Sequence, residues 1–121
     1  MTEATAVTPE GRSSPFDTGM WADQHTEAWK PIVRFIQEQG ARAGIQLAHS
    51  GRKGSTAPPW AGQAYVTPPG GGWITVAPSS VPFGALPTPE ELDRDGIGEV
   101  SDNFRQAAMR GAAAGFAVIE L

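Results

Sequence analysis

The apolar run Ile45-Gln46-Leu47-Ala48, interrupted by a single amide, ends at His49 and opens into a small, basic turn, Ser50-Gly51-Arg52-Lys53. A short apolar run that follows helix-stopping glycines, here Gly40 and Gly44, predicts a parallel strand covered on both faces. Upstream, Thr2 to Val7 alternates polar and apolar positions and predicts the end of an earlier strand. Between the two a helix is expected from Asp23, as its cap, to about Gln39. Ala28, Ile32, Phe35 and Ile36 fall on one face of it, which Trp29 and Val33 broaden. Gly40 is the expected stop. Pro31 removes a hydrogen bond to the Glu27 carbonyl and predicts a kink or a late helix start. Farther on, Ile97, Val100, Phe104, Ala107, Ala108 and Gly111 recur at helical spacing. Thr88-Pro89-Glu90-Glu91 has the spacing of a capping box, and Asp93 offers a second cap. Gly115 closes this helix, and Phe116–Leu121 predicts a third buried strand.

The stretch after the His49 strand holds most of the chain's 11 prolines and is rich in glycine. No helix is expected there. Trp60, Tyr65, Trp73 and Phe83 punctuate it, so an ordered lid anchored by aromatic side chains is the expectation. Tyr65-Val66-Thr67 and Trp73-Ile74-Thr75-Val76 are expected to form a short hairpin. Gly70-Gly71-Gly72 has neither a strand leading in nor a helix leading out, which argues against a phosphate-binding loop. The whole reads as β-α-β-long loop-α-β, and that order calls for parallel strands joined by right-handed crossovers. Both ends fall inside strand patterns. A parallel sheet of three strands and two helices leaves much of itself uncovered, so the chain is expected to be a piece of a larger fold.

The 121 residues allow one domain with a modest core, and 40% apolar with 18% charged residues is a globular composition. The net charge of −4, with no run of Lys or Arg, argues against a nucleic-acid partner. Without cysteine there are no disulfides or thiolate metal sites, and two histidines do not suggest zinc. No apolar run approaches the roughly 20 residues of a membrane span, and no signal-peptide pattern opens the chain. The expected compartment is the cytoplasm.

Candidate chemistry centres on Gln46. A side-chain amide inside a buried strand must find partners or cost a few kcal/mol. Donor and acceptor together suit a lactam-like edge, such as that of a flavin ring or a uracil-type base. A core glutamine satisfied by neighbouring backbone is the alternative. His49, Arg52 and Lys53 follow at the C-terminal end of the strand, where ligands sit in parallel α/β folds. His49 is read as a structural strand-end residue, Arg52 and Lys53 as candidates for a site rim.

The ordered set of short motifs resembles the Old Yellow Enzyme family of FMN-dependent oxidoreductases, in particular its NADPH dehydrogenase and xenobiotic reductase branch. The matching residues are Glu3–Val7 with Pro9–Arg12, Gly19–Trp21, Gly44–Lys53, Pro59-Trp60, Gly72-Trp73, Val76–Ser79, Phe104 with Ala107-Ala108, and Ala114–Leu121. The resemblance implies a partial (β/α)8 TIM barrel, roughly strands 2 to 4, with residues 1–121 as part of one FMN-binding domain. It implies FMN as cofactor, NADPH or NADH as hydride donor, and a small activated alkene as substrate. Homo-oligomers are compatible with it. Ala4, through its backbone, and Gln46, at the pyrimidine edge of the flavin, are the implied cofactor contacts. No catalytic residue and no metal ligand is implied within the chain.

The resemblance also places several family features outside residues 1–121: the first strand, the substrate-anchoring histidine pair after the fourth strand, a later arginine and the phosphate-binding region. About a third of a barrel is expected here, inactive by itself. Ser13 departs from the family by standing where a branched apolar residue is usual, and Gly96 weakens the start of the last helix by about 1 kcal/mol. The rival readings are a non-catalytic truncated remnant and a small α/β ligand-binding module.

Overall fold

Ile45 and Leu47 are almost wholly buried, and the rest of the chain is arranged around the strand that carries them. A computed structural model describes all residues from Met1 to Leu121. Its main sheet has three parallel strands, β1 (Ala4–Ala6), β2 (Gly44–Ala48) and β5 (Val118–Glu120), with β2 in the middle. Ala4 pairs with Gln46 and Ala6 with Ala48; on the other side Gly44 pairs with Val118 and Gln46 with Glu120. Because side chains alternate along a strand, each pairing row shares one face. Thr5, Ile45, Leu47 and Ile119 point toward the helices. Ala4, Ala6, Gly44, Gln46, Ala48, Val118 and Glu120 form the opposite, inner face.

Two helices cover the first face: α1 (Asp23–Glu38) and α2 (Arg94–Ala114). On α2 the contact stripe is Ala107, Gly111 and Ala114, all buried. Gly111 makes close packing possible, since a Cβ there would stand 3.4 Å from Ile45 Cγ2 and 3.8 Å from Ile119 Cδ1. Val33 joins this core, with Trp29 edge-on to Phe116 at 5.5 Å. Arg110 Nε donates to Asp23 Oδ1 at 3.0 Å and ties the helices together at the surface.

The stops are where the glycines put them. Gly40 (φ +81°) lets the Ala41 N–H reach the Ile36 carbonyl, and Gly115 (φ +97°) lets Phe116 N–H reach that of Gly111. The starts differ in part from expectation. Asp93 Oδ1 accepts from Gly96 N at 2.8 Å and caps α2, whereas Glu90-Glu91 of the proposed capping box is strand β4, paired in parallel with β3 (Val76-Ala77). Asp23 does not cap α1. Ala22 is the cap residue, and its N–H is satisfied by His25 Nδ1 at 3.1 Å. The helix runs unbroken through Pro31, which is exposed, so the expected late start does not occur.

The buried face of α1 is also different. Thr26 and Val33 are buried with Trp29 and Ile36 beside them, while Ile32 and Phe35 are 48% and 62% exposed. The two apolar stripes lie roughly a third of a turn apart on the helix. No helix in the chain is long and apolar enough to cross a membrane.

Candidate functional site

The loops leaving β1 and β2 sit together over the C-terminal ends of the strands and are joined by a short list of contacts. Ser50 N–H donates to the Gly11 carbonyl at 2.8 Å, and Thr56 N–H to that of Ser13 at 2.9 Å. The hydroxyls of Ser13 and Ser50 are 2.6 Å apart, which accounts for a serine at a position where an apolar side chain was expected. Arg12 is the hub. Its guanidinium lies between the rings of Trp21 and Trp73, 5.5 and 5.0 Å from their centroids, and donates to the carbonyls of Pro9 (2.7 Å) and Pro15 (2.8 Å). One cation thus holds the first loop, the entry to α1 and the long loop.

The long loop is built from three single turns of 3-10 helix, at Gly51–Lys53, Pro59–Ala61 and Pro68–Gly70. The expected hairpin between Tyr65 and Val76 does not form. Tyr65 pairs instead with Thr56, with Ala57 N–H on the Ala64 carbonyl and Val66 N–H on that of Ser55. Ser55 decides this. It is buried at φ +56°, and its hydroxyl donates to the Val66 carbonyl and accepts from Trp73 N–H, both at 2.8 Å. With Tyr65–Val66 so engaged, Val76 pairs with Glu90. Of the four aromatic anchors, Tyr65 and Trp73 are half-buried, but Trp60 is 86% and Phe83 50% exposed.

His49 is half-buried, packed on Gly11, with Nδ1 accepting the Gly51 N–H at 3.1 Å. Its Nε2 is buried without a partner. Burial lowers its pKa below the ordinary value of 6.5, with Glu10 pulling weakly the other way. The unfolded chain therefore binds more protons below pH 6.5 than the folded one, and stability present above that pH is lost as pH falls through the window. His25, whose pKa burial also lowers, acts in the same sense. Urea midpoints should drop between pH 7 and pH 5.5, and His49→Gln should flatten that slope without abolishing it. An unchanged slope would show that His49 does not sense pH.

Arg52 donates to the Val81 carbonyl at 2.6 Å and to Ser79 Oγ at 3.0 Å, pinning the far end of the loop. Lys53 is exposed, with Nζ 4.3 Å from the centroid of Phe83, beside a cavity of about 450 Å³ that Tyr65 and Leu86 also line.

Gln46 and Ala4 are brought together on the inner face as register partners. Ala4 is exposed and borders a cleft of about 420 Å³ walled by Ser13, Asp17, Pro58 and Trp60. Gln46 is half-buried; its Nε2 donates to Glu120 Oε1 at 2.7 Å, and its Oε1 receives no hydrogen bond from the chain. The neighbouring inner-face positions Ala4, Ala6, Gly44 and Ala48 carry small side chains or none; Ala4 is exposed and Ala48 half-buried, whereas Ala6 is buried and Met1 covers Gly44. A free acceptor beside a donor over small residues fits the pyrimidine edge of FMN. Glu120 was not foreseen. The available signal is an acid inside the apolar run Phe116–Leu121, an anomaly of the same kind as the amide of Gln46 in its strand.

The family model described as the NADH:flavin oxidoreductase / NADH oxidase family matches residues 1–121. The NADPH dehydrogenase of Halalkalibacterium halodurans is 38% identical over 119 residues, 98% of this chain and 31% of the relative. That of Listeria monocytogenes is 45% identical over 120 residues, with the same shares. Among solved structures, morphinone reductase superposes with a TM-score of 0.78 at 29% identity, covering 97% of this chain and 33% of the other. The Old Yellow Enzyme homologue of Zymomonas mobilis gives 0.76 at 27%, covering 97% and 32%. The chain spans about a third of the length of the relatives it matches. The three parallel strands and their helices are a part of a (β/α)8 barrel, and the chain belongs to the NADH:flavin oxidoreductase / NADH oxidase family.

Proposed function

We propose that residues 1–121 form one segment of a single FMN-binding barrel domain in a cytoplasmic ene-reductase that draws hydride from NADPH or NADH. The observation that carries this reading is Gln46: an amide with a free acceptor, on the inner face of a parallel sheet, in register with Ala4 and over small side chains. Bound there, FMN would supply hydride transfer between a reduced nicotinamide and an alkene conjugated to a carbonyl or nitro group. Gln46 would orient the pyrimidine edge, and Ala4 would admit the ring close to the backbone of β1. The loop after β2, held by Arg12 and Arg52, would wall the same face and limit water. The titrating and charged groups that stabilise a developing oxyanion in such chemistry are not assigned to any residue of this chain.

Exchanging the matching third of the Listeria monocytogenes NADPH dehydrogenase for residues 1–121 tests the proposal. The exchanged barrel should purify with FMN and couple NADPH oxidation to reduction of cyclohexenone. A folded barrel that takes up no FMN would overturn it.

A further inference from the structure

Two polar side chains stand in register on the inner face of the sheet, and they touch. Gln46 Nε2 donates to Glu120 Oε1 at 2.7 Å, directly across the pairing of β2 with β5. An ionised carboxylate only accepts, so this contact decides which end of the amide faces β5: the nitrogen does. The amide is planar, with its oxygen on the opposite side of the carbonyl carbon. Oε1 is thereby left off the Glu120 contact and without a hydrogen bond from the chain, and the strand on the other side of β2 is β1, where Ala4 is the register partner. An unrestrained glutamine amide exchanges its two ends at little cost. Here a charge-assisted hydrogen bond removes one of the two arrangements.

We infer that Glu120 is a positioning residue, which locks the Gln46 amide with its acceptor oxygen toward Ala4. The site then takes a ring edge that brings an N–H to Oε1 and a carbonyl oxygen to the remaining Nε2 hydrogen. The inference rests on the flavin reading above and deepens it, because it assigns the flavin N3–H to the β1 side of the amide. The carboxylate also places a fixed negative charge one hydrogen bond away from the pyrimidine edge. It opposes the added electron density of the reduced ring and so lowers the reduction potential.

The contact is tested first on the 121-residue chain without flavin. In ¹⁵N–¹H spectra the Gln46 side-chain amide protons should lie downfield of those of Gln24 and Gln39, which are exposed. In Glu120→Ala they should move onto them. Coincidence with the exposed glutamines in the unsubstituted chain would overturn the inference, whatever the flavin does.

The second test uses the exchanged barrel. Glu120→Ala should weaken FMN binding about five- to tenfold, but less than about twofold in a Gln46→Leu background, where no amide remains to be held. Equal losses in both backgrounds would mean that Glu120 acts without Gln46, and the positioning role would fail. Glu120→Gln keeps an accepting oxygen and removes the charge. It should hold FMN within about threefold of the unsubstituted barrel and raise the flavin potential, whereas an unmoved potential would count against the inference. Failure of the flavin reading itself looks different: Gln46→Leu would then leave FMN binding untouched, while the chain that keeps Gln46 still shows the amide signature of the Glu120 contact.

Discussion

Arg12→Leu should lower the unfolding free energy of the chain by about 3 kcal/mol. The guanidinium donates to two carbonyls, of Pro9 and Pro15, and lies against two indoles. Hydrogen bonds from a charged donor contribute about 1.5–3 kcal/mol each, and each cation–π contact about 0.5–1 kcal/mol where the site is partly open. Their sum exceeds the expected loss because leucine keeps the packing of the side-chain stem and the terms are not additive. Arg12→Lys should recover only part of it, since an ammonium cannot occupy a planar slot between two rings while bonding two carbonyls. Urea unfolding followed by tryptophan fluorescence checks both variants. A loss below about 1 kcal/mol for Arg12→Leu would show the arginine to be an ordinary surface charge.

Gly72→Ala should cost a comparable 3–5 kcal/mol, by roughly adding overpacking to broken hydrogen bonds. A Cβ on Gly72 would collide with the Val66 carbonyl and with Ser55 Oγ, the hydroxyl that joins Val66 to Trp73. Backbone, not a flexible side-chain end, stands in the way, so Val66 and the Ser55 hydroxyl must move off Gly72, which strains the hydrogen bonds Ser55 makes to Val66 and Trp73. Gly70→Ala is the control. Two residues away, its Cβ would meet Thr67 Oγ1 at 3.4 Å and Val66 Cγ1 at 3.7 Å, ordinary contact distances. It should be near neutral. Amide exchange would show Val66 and Trp73 losing protection in Gly72→Ala alone; equal behaviour of the two variants would remove the packing explanation.

The parts of the fold that could be read from sequence are those fixed by a single local rule. An apolar run bounded by glycines gave β2 its place. Glycines able to take positive φ stopped both helices, and an aspartate three residues before a helical N–H capped α2. What could not be read needed a choice among equals. Two apolar stripes compete on α1, and periodicity alone does not say that Trp29 and Val33 win over Ile32 and Phe35. Strand propensity pairs Tyr65 with the Trp73–Val76 segment, whereas the buried Ser55 hydroxyl, which propensity does not see, sets it against Thr56. Trp60 and Phe83 looked like anchors by residue type alone, yet both remain largely in contact with solvent. At the candidate site, Gln46 was legible because an amide in an apolar strand is anomalous. The link to Glu120 was not, because it depends on register across strands 74 residues apart.

The central claim, that Gln46 binds the flavin's pyrimidine edge, is tested most directly by FMN titration of the exchanged barrel with and without Gln46→Leu. Leaving a buried lactam edge unpaired costs about 1–3 kcal/mol, so the dissociation constant should rise about 5- to 150-fold. A variant that folds as well as its parent and binds FMN within about twofold of it would contradict the account.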